Sequence, residues 1–458
     1  MPNTTTTSQP GASVALGMST FAFTACFAVW TIFSIIGVQI KQELGLSEFQ
    51  FGLMVGTPIL TGSLIRVVLG VWTDQYGGRL VNLVVMLAAA AATFALSYAE
   101  TYAQFLVAAL GVGIAGGSFA VGVAYVSKFY GKERQGTALG IFGAGNVGSA
   151  VTKFGAPFVM VAFGWETVAQ AWAVALAVIG VVFYLTTRDD PNLVRRRLTG
   201  EKAEATWLQL SPLKKLQVWR FSLYYFFVFG AFVALALWLP RYLVGVYGLD
   251  IKAAGMIAAA YSIPGSLFRV FGGWLSDRIG ARKVMYITFA LSAVCTFLLS
   301  YPATSYVVDG IKGPIEFRIA TDLVTFTVIA FVLGFAMSLG KAAVFKHIPV
   351  YYPDHIGSVG GLVGMIGGLG GFVLPIAFGA LNDLTGVWTS CFMLLFVLVA
   401  TALLWMHFAI RRMERKAAAT ELGALPELPE MAGLAASPAH PQAPAQRPAA
   451  SGGLQPAE

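Results

Sequence analysis

Hydropathy along the chain alternates long apolar stretches with short polar breaks, twelve times over. The first six stretches fall at about 14–40, 51–73, 79–99, 103–129, 136–163 and 167–187. The second six fall at about 219–244, 253–275, 283–301, 322–347, 357–382 and 387–410. A helix of about 20 apolar residues crosses a hydrocarbon core about 30 Å thick, so each stretch predicts one spanning helix. The expected fold is an all-α membrane protein with twelve transmembrane helices in two six-helix bundles. A polar linker, 188–218, separates an N-terminal bundle (14–187) from a C-terminal one (219–410) and carries Arg195, Arg196, Arg197, Lys202, Lys214 and Lys215. Residues 1–13 form a polar leading segment, and the apolar run after them is too long for a signal-peptide core, which predicts a retained first helix. The alanine- and proline-rich tail, 411–458, cannot build a core and is expected to be disordered.

The two sets share a text. Gly62-Ser63-Leu64, Arg66-Val67, Gly70, Asp74, Gly77 and Arg79 recur 203 residues later as Gly265-Ser266-Leu267, Arg269-Val270, Gly273, Asp277, Gly280 and Arg282. A repeat at one fixed offset implies two structurally equivalent halves. Each arginine precedes its aspartate by eight residues, which at a rise of about 1.5 Å per residue places it roughly 12 Å inside a helix ending at the aspartate. That is near the membrane midplane, where a guanidinium keeps its proton and requires a counter-charge or a polar cavity.

Composition narrows the reading. The chain is 57% hydrophobic and 11% charged, against about 25% charged for a soluble domain. Its net charge of +8 is spread over short loops, unlike the basic face that tracks nucleic-acid phosphates. Cys26, Cys295 and Cys391 lie in separate apolar stretches without metal or disulfide spacing, so no metal and no cofactor is expected. Lysine and arginine gather in the loops after even-numbered helices, in the linker and in the tail, which predicts both termini in the cytoplasm.

Within the spans, the signs are lopsided. Arg66, Lys153, Arg269 and Lys341 lie inside, while aspartate and glutamate keep to loops and helix ends. Four unneutralised cations in a low-dielectric interior would each cost several kcal/mol, so an anion or water is expected among them. Lys153 and Lys341 could also bond backbone carbonyls. Two glycine-rich runs occupy equivalent places: Gly140, Gly143-Ala144-Gly145-Asn146-Val147-Gly148 in the fifth helix, and Gly360-Gly361, Gly364, Gly367-Gly368-Leu369-Gly370-Gly371 in the eleventh. Small residues let helices approach closely, and the Asn146 amide could donate to an oxyanion.

Two parallel halves of six helices around a basic cytoplasmic loop resemble the major facilitator superfamily, as does the run Gly70-Val71-Trp72-Thr73-Asp74-Gln75-Tyr76-Gly77-Gly78-Arg79. That loop reads as a gate in which Asp74, Arg79, Asp277, Arg278 and Arg282 can pair across the halves, with Arg134 as a further partner for Asp74. Gly-Ser-Leu-Ile-Arg66, Gly-Ser-Leu-Phe-Arg269 and the two glycine runs resemble the nitrate/nitrite porter family, of the NarK type. The resemblance covers nearly the whole chain except the tail. It implies a bacterial inner-membrane porter, monomeric in the lipid bilayer, that moves nitrate and nitrite by secondary transport. It also implies a planar anion clamped by Arg66 and Arg269, with stacking by Phe27, Phe119, Tyr225 and Phe229 and with Asn146, Gly145, Gly367 and Gly370 beside it.

A guanidinium fork and an apolar aromatic box independently suit a small, weakly hydrated, planar oxyanion. The chain departs from the best-known antiporter pattern at Lys153 and in Gly340-Lys341-Ala342-Ala343-Val344-Phe345-Lys346-His347. Lys153, Lys341, Lys346 and His347 are candidate proton acceptors, which favours nitrate uptake coupled to protons over nitrate/nitrite antiport. A facilitator for formate or oxalate would also want paired cations, and a membrane sensor would need an output domain. An enzyme fits least, because the spans hold no nucleophile, metal cluster or acid/base pair.

Overall fold

In hydrocarbon an apolar chain must satisfy its own backbone, and helices do so within one segment. The computed structural model describes residues 11–130, 132–199, 215–351 and 356–419 and is helical almost throughout. Its helices join into twelve rods. The first six are Ala12–Leu44, Glu48–Tyr76, Gly78–Leu96, Tyr102–Ser127, 132–163 and Trp165–Thr186. The second six are Leu216–Tyr247, the bent pair Ile251–Leu267 and Arg269–Ile279, then Ala281–Ser300, Leu323–Tyr351, Ile356–Thr385 and Ser390–Ala419. Among the described residues, nine are long and apolar enough to cross a membrane alone, and the bent pair makes a tenth. The remaining two, Glu48–Tyr76 and 132–163, carry Arg66 and Lys153.

Three rods change winding partway. The fourth tightens to a 3-10 turn at Gly113–Gly117, the fifth does so at Ala144–Val147, and the seventh widens to a π-helix at Phe226–Ala231. Such interruptions concentrate at functional sites, and here the second contains Asn146 while the third contains Phe229 and begins directly after Tyr225.

Three features depart from the hydropathy reading. The linker contains a short helix, Pro191–Thr199, and the last helix runs to Ala419 rather than stopping at 410. The break before the tenth helix holds an antiparallel hairpin, Thr304–Gly310 with Gly313–Ile319, exposed on both faces. Residues 1–10, 200–214 and 420–458 lie outside the described residues.

One end of the bundle is defined by helix caps. Ser47 and Gln50 form a reciprocal capping box on the second helix, Thr101 and Gln104 form another on the fourth, and Asp250 caps the eighth. Asp322 accepts from Val324 and Thr325 at the start of the tenth; bonds from the Thr325 hydroxyl and N–H hold its carboxyl below the usual range.

At this capped end the halves are tied together. The Glu48 carboxylate accepts from Arg241 at 2.5 and 3.4 Å and lies 3.3 Å from Lys41. Asp383, on the eleventh helix, accepts from the backbone N–H groups of Glu48 and Phe49 at 3.1 and 2.8 Å. Close approach of the backbones requires glycine here, since a Cβ on Gly379 would sit 2.2 Å from the Glu48 carbonyl oxygen and one on Gly52 the same distance from that of Pro375. At the opposite end, Gly77 and Gly280 turn the chain with φ of 87° and 89°, the tight turns that the repeated loop predicts.

Candidate functional site

The second and eighth helices bring Arg66 and Arg269 to the interface between the halves, each only 6% exposed. Arg66 Nη1 donates to the carbonyl of Gly364 at 3.1 Å, reaching from the N-terminal half to the eleventh helix. Arg269 reaches the other way, 3.0 Å from where a Cβ on Gly143 would stand. Rings surround both heads. The Arg66 guanidinium carbon lies 5.7 Å from the Trp30 ring, 5.3 Å from Phe119 and 5.7 Å from Phe229. That of Arg269 lies 5.8 Å from Phe119 and 5.8 Å from Phe345. Phe119 thus stands between the two cations.

Aromatic faces attract a cation but do not neutralise it. Among the described residues, no carboxylate forms an ion pair with either arginine. Several buried polar atoms here also lack a protein partner, namely Arg66 Nε, Ser63 Oγ and both side-chain amide atoms of Asn146, while the Tyr225 hydroxyl stands against Arg269. Buried polar groups are almost always satisfied, so a set rich in N–H and O–H donors with two positive charges has the chemistry to hold an anion.

Tyr225 and Phe229 stack at 5.0 Å and 12° where the seventh helix widens, and Tyr225 lies in the electrostatic field of both arginines. Phe27 is one layer removed: it packs on Phe23 at 5.7 Å and on Trp30 at 5.3 Å, and Trp30 rather than Phe27 meets Arg66. The glycines divide by helix face. Gly145 backs onto Phe23 and Thr20, while Gly367 and Gly370 back onto Tyr225, Phe226 and Gly230 of the seventh helix, so these three serve packing. Gly364 and Gly368 are the ones that face Arg66. Sequence reasoning missed Ser63, Trp30 and Phe345. Ser63 stands one helical turn before Arg66, and Phe345 stands one turn after Lys341; those spacings were the available signals.

The lysines separate by environment. Lys153 is fully buried and donates to Ser262 of the opposite half at 2.9 Å and to the Ser149 carbonyl at 3.4 Å. Lys341 donates to the Gly265 carbonyl at 2.5 Å. Lys346 is exposed and pairs with Asp277, which removes it from the buried site. His347 bonds the Ala343 carbonyl through Nδ1 at 2.9 Å and packs against Phe221 and Tyr351, toward the loop end.

The expected pairing of loop charges across the halves is not what the described residues show. Arg79 donates to the Tyr184 carbonyl at 2.8 Å and lies 4.0 Å from Asp189; Arg282 lies 3.8 Å from Glu414; Arg278 covers Trp274 at 5.4 Å. Each stays within its own half, as does Asp277 with Lys346. The physical reason is reach: each of these charges meets a partner on its own bundle, while the carboxylates that join the halves, Glu48 and Asp383, sit at the capped end. The side chains of Asp74 and Arg134 lie outside the described residues.

Comparison with known proteins agrees with this architecture. The sequence pattern of the Major Facilitator Superfamily matches residues 18–305 and 247–445. The "Probable nitrate/nitrite antiporter NarK1" of Thermus thermophilus is 40% identical over 420 residues, covering 88% of this chain and 93% of that protein. The chain belongs to the nitrate/nitrite porters of the major facilitator superfamily. This porter is also 33% identical to the "Probable nitrate/nitrite transporter NarK2" of Mycobacterium tuberculosis, over 86% of this chain and 94% of that one. With the "Nitrite extrusion protein" of Bacillus subtilis it shares 30% over 87% of this chain and 95% of that one. A crystal structure of a bacterial homolog of the human lysosomal transporter Spinster, inward-facing and occupied, aligns with a TM-score of 0.67, covering 88% of this chain and 98% of that one. At 15% identity that likeness concerns the fold alone. As a superfamily member the porter is a multi-pass membrane transporter and not an enzyme.

Proposed function

We propose that this porter carries nitrate and nitrite across a bacterial inner membrane by alternating access, the anion held between Arg66 and Arg269. The observation that carries the reading is the meeting of two symmetry-related, carboxylate-free guanidiniums, one from each half, within an aromatic wall. A fork from each side suits the plane of nitrate, while the rings disfavour the more strongly hydrated sulfate and phosphate. The Asn146 amide and the Ser63 and Tyr225 hydroxyls supply further donors. Because one chain furnishes both arginines, the transport unit is the monomer, divided at the 188–218 linker. The loop charges orient it with the capped end outside and both termini in the cytoplasm.

Proton coupling falls to Lys153. Its hydrogen bond to Ser262 joins the halves within the membrane and must break when they rock apart. A neutral lysine that gains a proton as nitrate enters would move net zero charge with each anion and proton. Nitrate/nitrite antiport is the second reading, favoured by the name of the Thermus relative. Uptake of labelled nitrate into proteoliposomes, with and without internal nitrite and a pH gradient, decides between them. Lys153→Gln is expected to abolish acceleration by an inward proton gradient while nitrate exchange at equal pH persists. Retention of proton-driven accumulation would remove Lys153 from coupling, and obligatory nitrite exchange without a pH response would establish antiport.

A further inference from the structure

Lys341 has a different geometry from that of a coupling group. The eighth helix is bent by 40° where Ile251–Leu267 gives way to Arg269–Ile279. At the break, Phe268 donates its N–H to the Pro264 carbonyl and accepts at its own carbonyl from the Gly272 N–H. The Gly265 carbonyl, which an unbroken helix would give to the N–H of Arg269, is left to the Lys341 ammonium at 2.5 Å. A released carbonyl in a fully buried place needs a donor, and a cation at the C-terminal end of a helical segment is favoured by the aligned peptide dipoles. The same ammonium stands 3.3 Å above the centre of the Phe232 ring, and that ring occupies the space beside Gly265 where a Cβ would otherwise be. Arg269 is the first residue after the break, and its charge couples to that of Lys341.

We infer that Lys341 is a positioning residue: it caps the first segment of the eighth helix at Gly265 and thereby sets the bend that aims Arg269 at the substrate. The inference rests on the clamp reading of Arg269. In this role the lysine remains a hydrogen-bond donor throughout the cycle, and the tenth helix becomes the strut that holds half of the anion site.

The test compares Lys341→Gln, which keeps an N–H donor, with Lys341→Met, which keeps length without one. Nitrate KM for exchange at equal pH is expected to rise about tenfold in the Met variant and no more than about threefold in the Gln variant. The factor by which a pH gradient stimulates uptake should match the unmodified protein in both. A second readout is independent of nitrate: spin labels at Met256 and Trp274 report the bend, and straightening in the Met variant should lengthen their separation by about 2 Å. Equal KM for Gln, Met and unmodified protein, or loss of the pH response in both variants at unchanged KM, would overturn the role. So would an unchanged label separation in the Met variant. If the unmodified protein carries no nitrate, the transport reading fails, and the label distances still judge the cap.

Discussion

The second and eighth helices carry the same Gly-Ser-Leu-X-Arg text and yet differ in shape. The second runs unbroken through Glu48–Tyr76, and Arg66 anchors itself on a carbonyl of the opposite half. The eighth breaks immediately before Arg269, and its released carbonyl is bonded by a lysine of its own half. Local sequence accounts for part of the contrast: Pro58 lies eight residues before Arg66, whereas Pro264 lies five before Arg269, replacing the Thr61 of the first copy. Packing preserves the common frame, since Gly62 lies under the Trp30 indole as Gly265 lies under Phe232. The lesson is that duplication conserved the charge and its depth, while neighbouring helices fixed each guanidinium differently.

The severest way to break the comparison is Arg66→Lys or Arg269→Lys. A point ammonium retains charge but not the fork, at a cost of about 2–3 kcal/mol, which is about a hundredfold in nitrate affinity. Equal binding of nitrate by both variants, measured in detergent at matched expression, would take the arginines out of the site. An intermediate effect is expected from Glu48→Gln at the capped end. Losing a partly buried ion pair there is worth about 1–2 kcal/mol, enough to shift the population toward the form open at that end by roughly tenfold. Spin labels at Leu44 and Val246 should show a longer-distance population, and an unchanged distribution would remove Glu48 from the latch. Pro264→Thr, which copies the second helix into the eighth, should change nitrate KM by less than about threefold because Lys341 still caps Gly265. A tenfold rise would instead make the proline the cause of the bend.

Much of this was legible without coordinates, and the reason is that hydrophobic length, duplication and charge sign are properties of the chain itself. The twelve rods, the paired arginines and the lack of a carboxylate beside them followed from those. Helix rotation did not. Gly367 and Gly370 sit in the same run as Gly364 and Gly368, but only the structure shows that the first two face the seventh helix and the others face Arg66. Phe345 was hidden for the same reason, being one apolar residue among many on its helix. The hairpin at Thr304–Ile319 escaped although Ile315-Glu316-Phe317-Arg318-Ile319 alternates apolar and polar, because two strands of seven residues sit inside a break between long apolar spans, whose hydropathy dominates the profile. Partners of loop charges depend on which bundle lies within reach, so Asp277 meeting Lys346 could not be read from the repeat.

Asp383 holds the second helix by the peptide N–H groups of Glu48 and Phe49, not by their side chains. Every amino acid except proline offers that N–H, so the identity of residue 49 is free to drift while the contact survives. The burden of maintaining it falls on the carboxylate alone. A mutational scan of this corner should therefore be asymmetric: position 49 tolerant of nearly every substitution apart from proline, position 383 intolerant of all but a close acidic replacement. Half of this latch is written in the backbone and leaves no signature for sequence comparison to find.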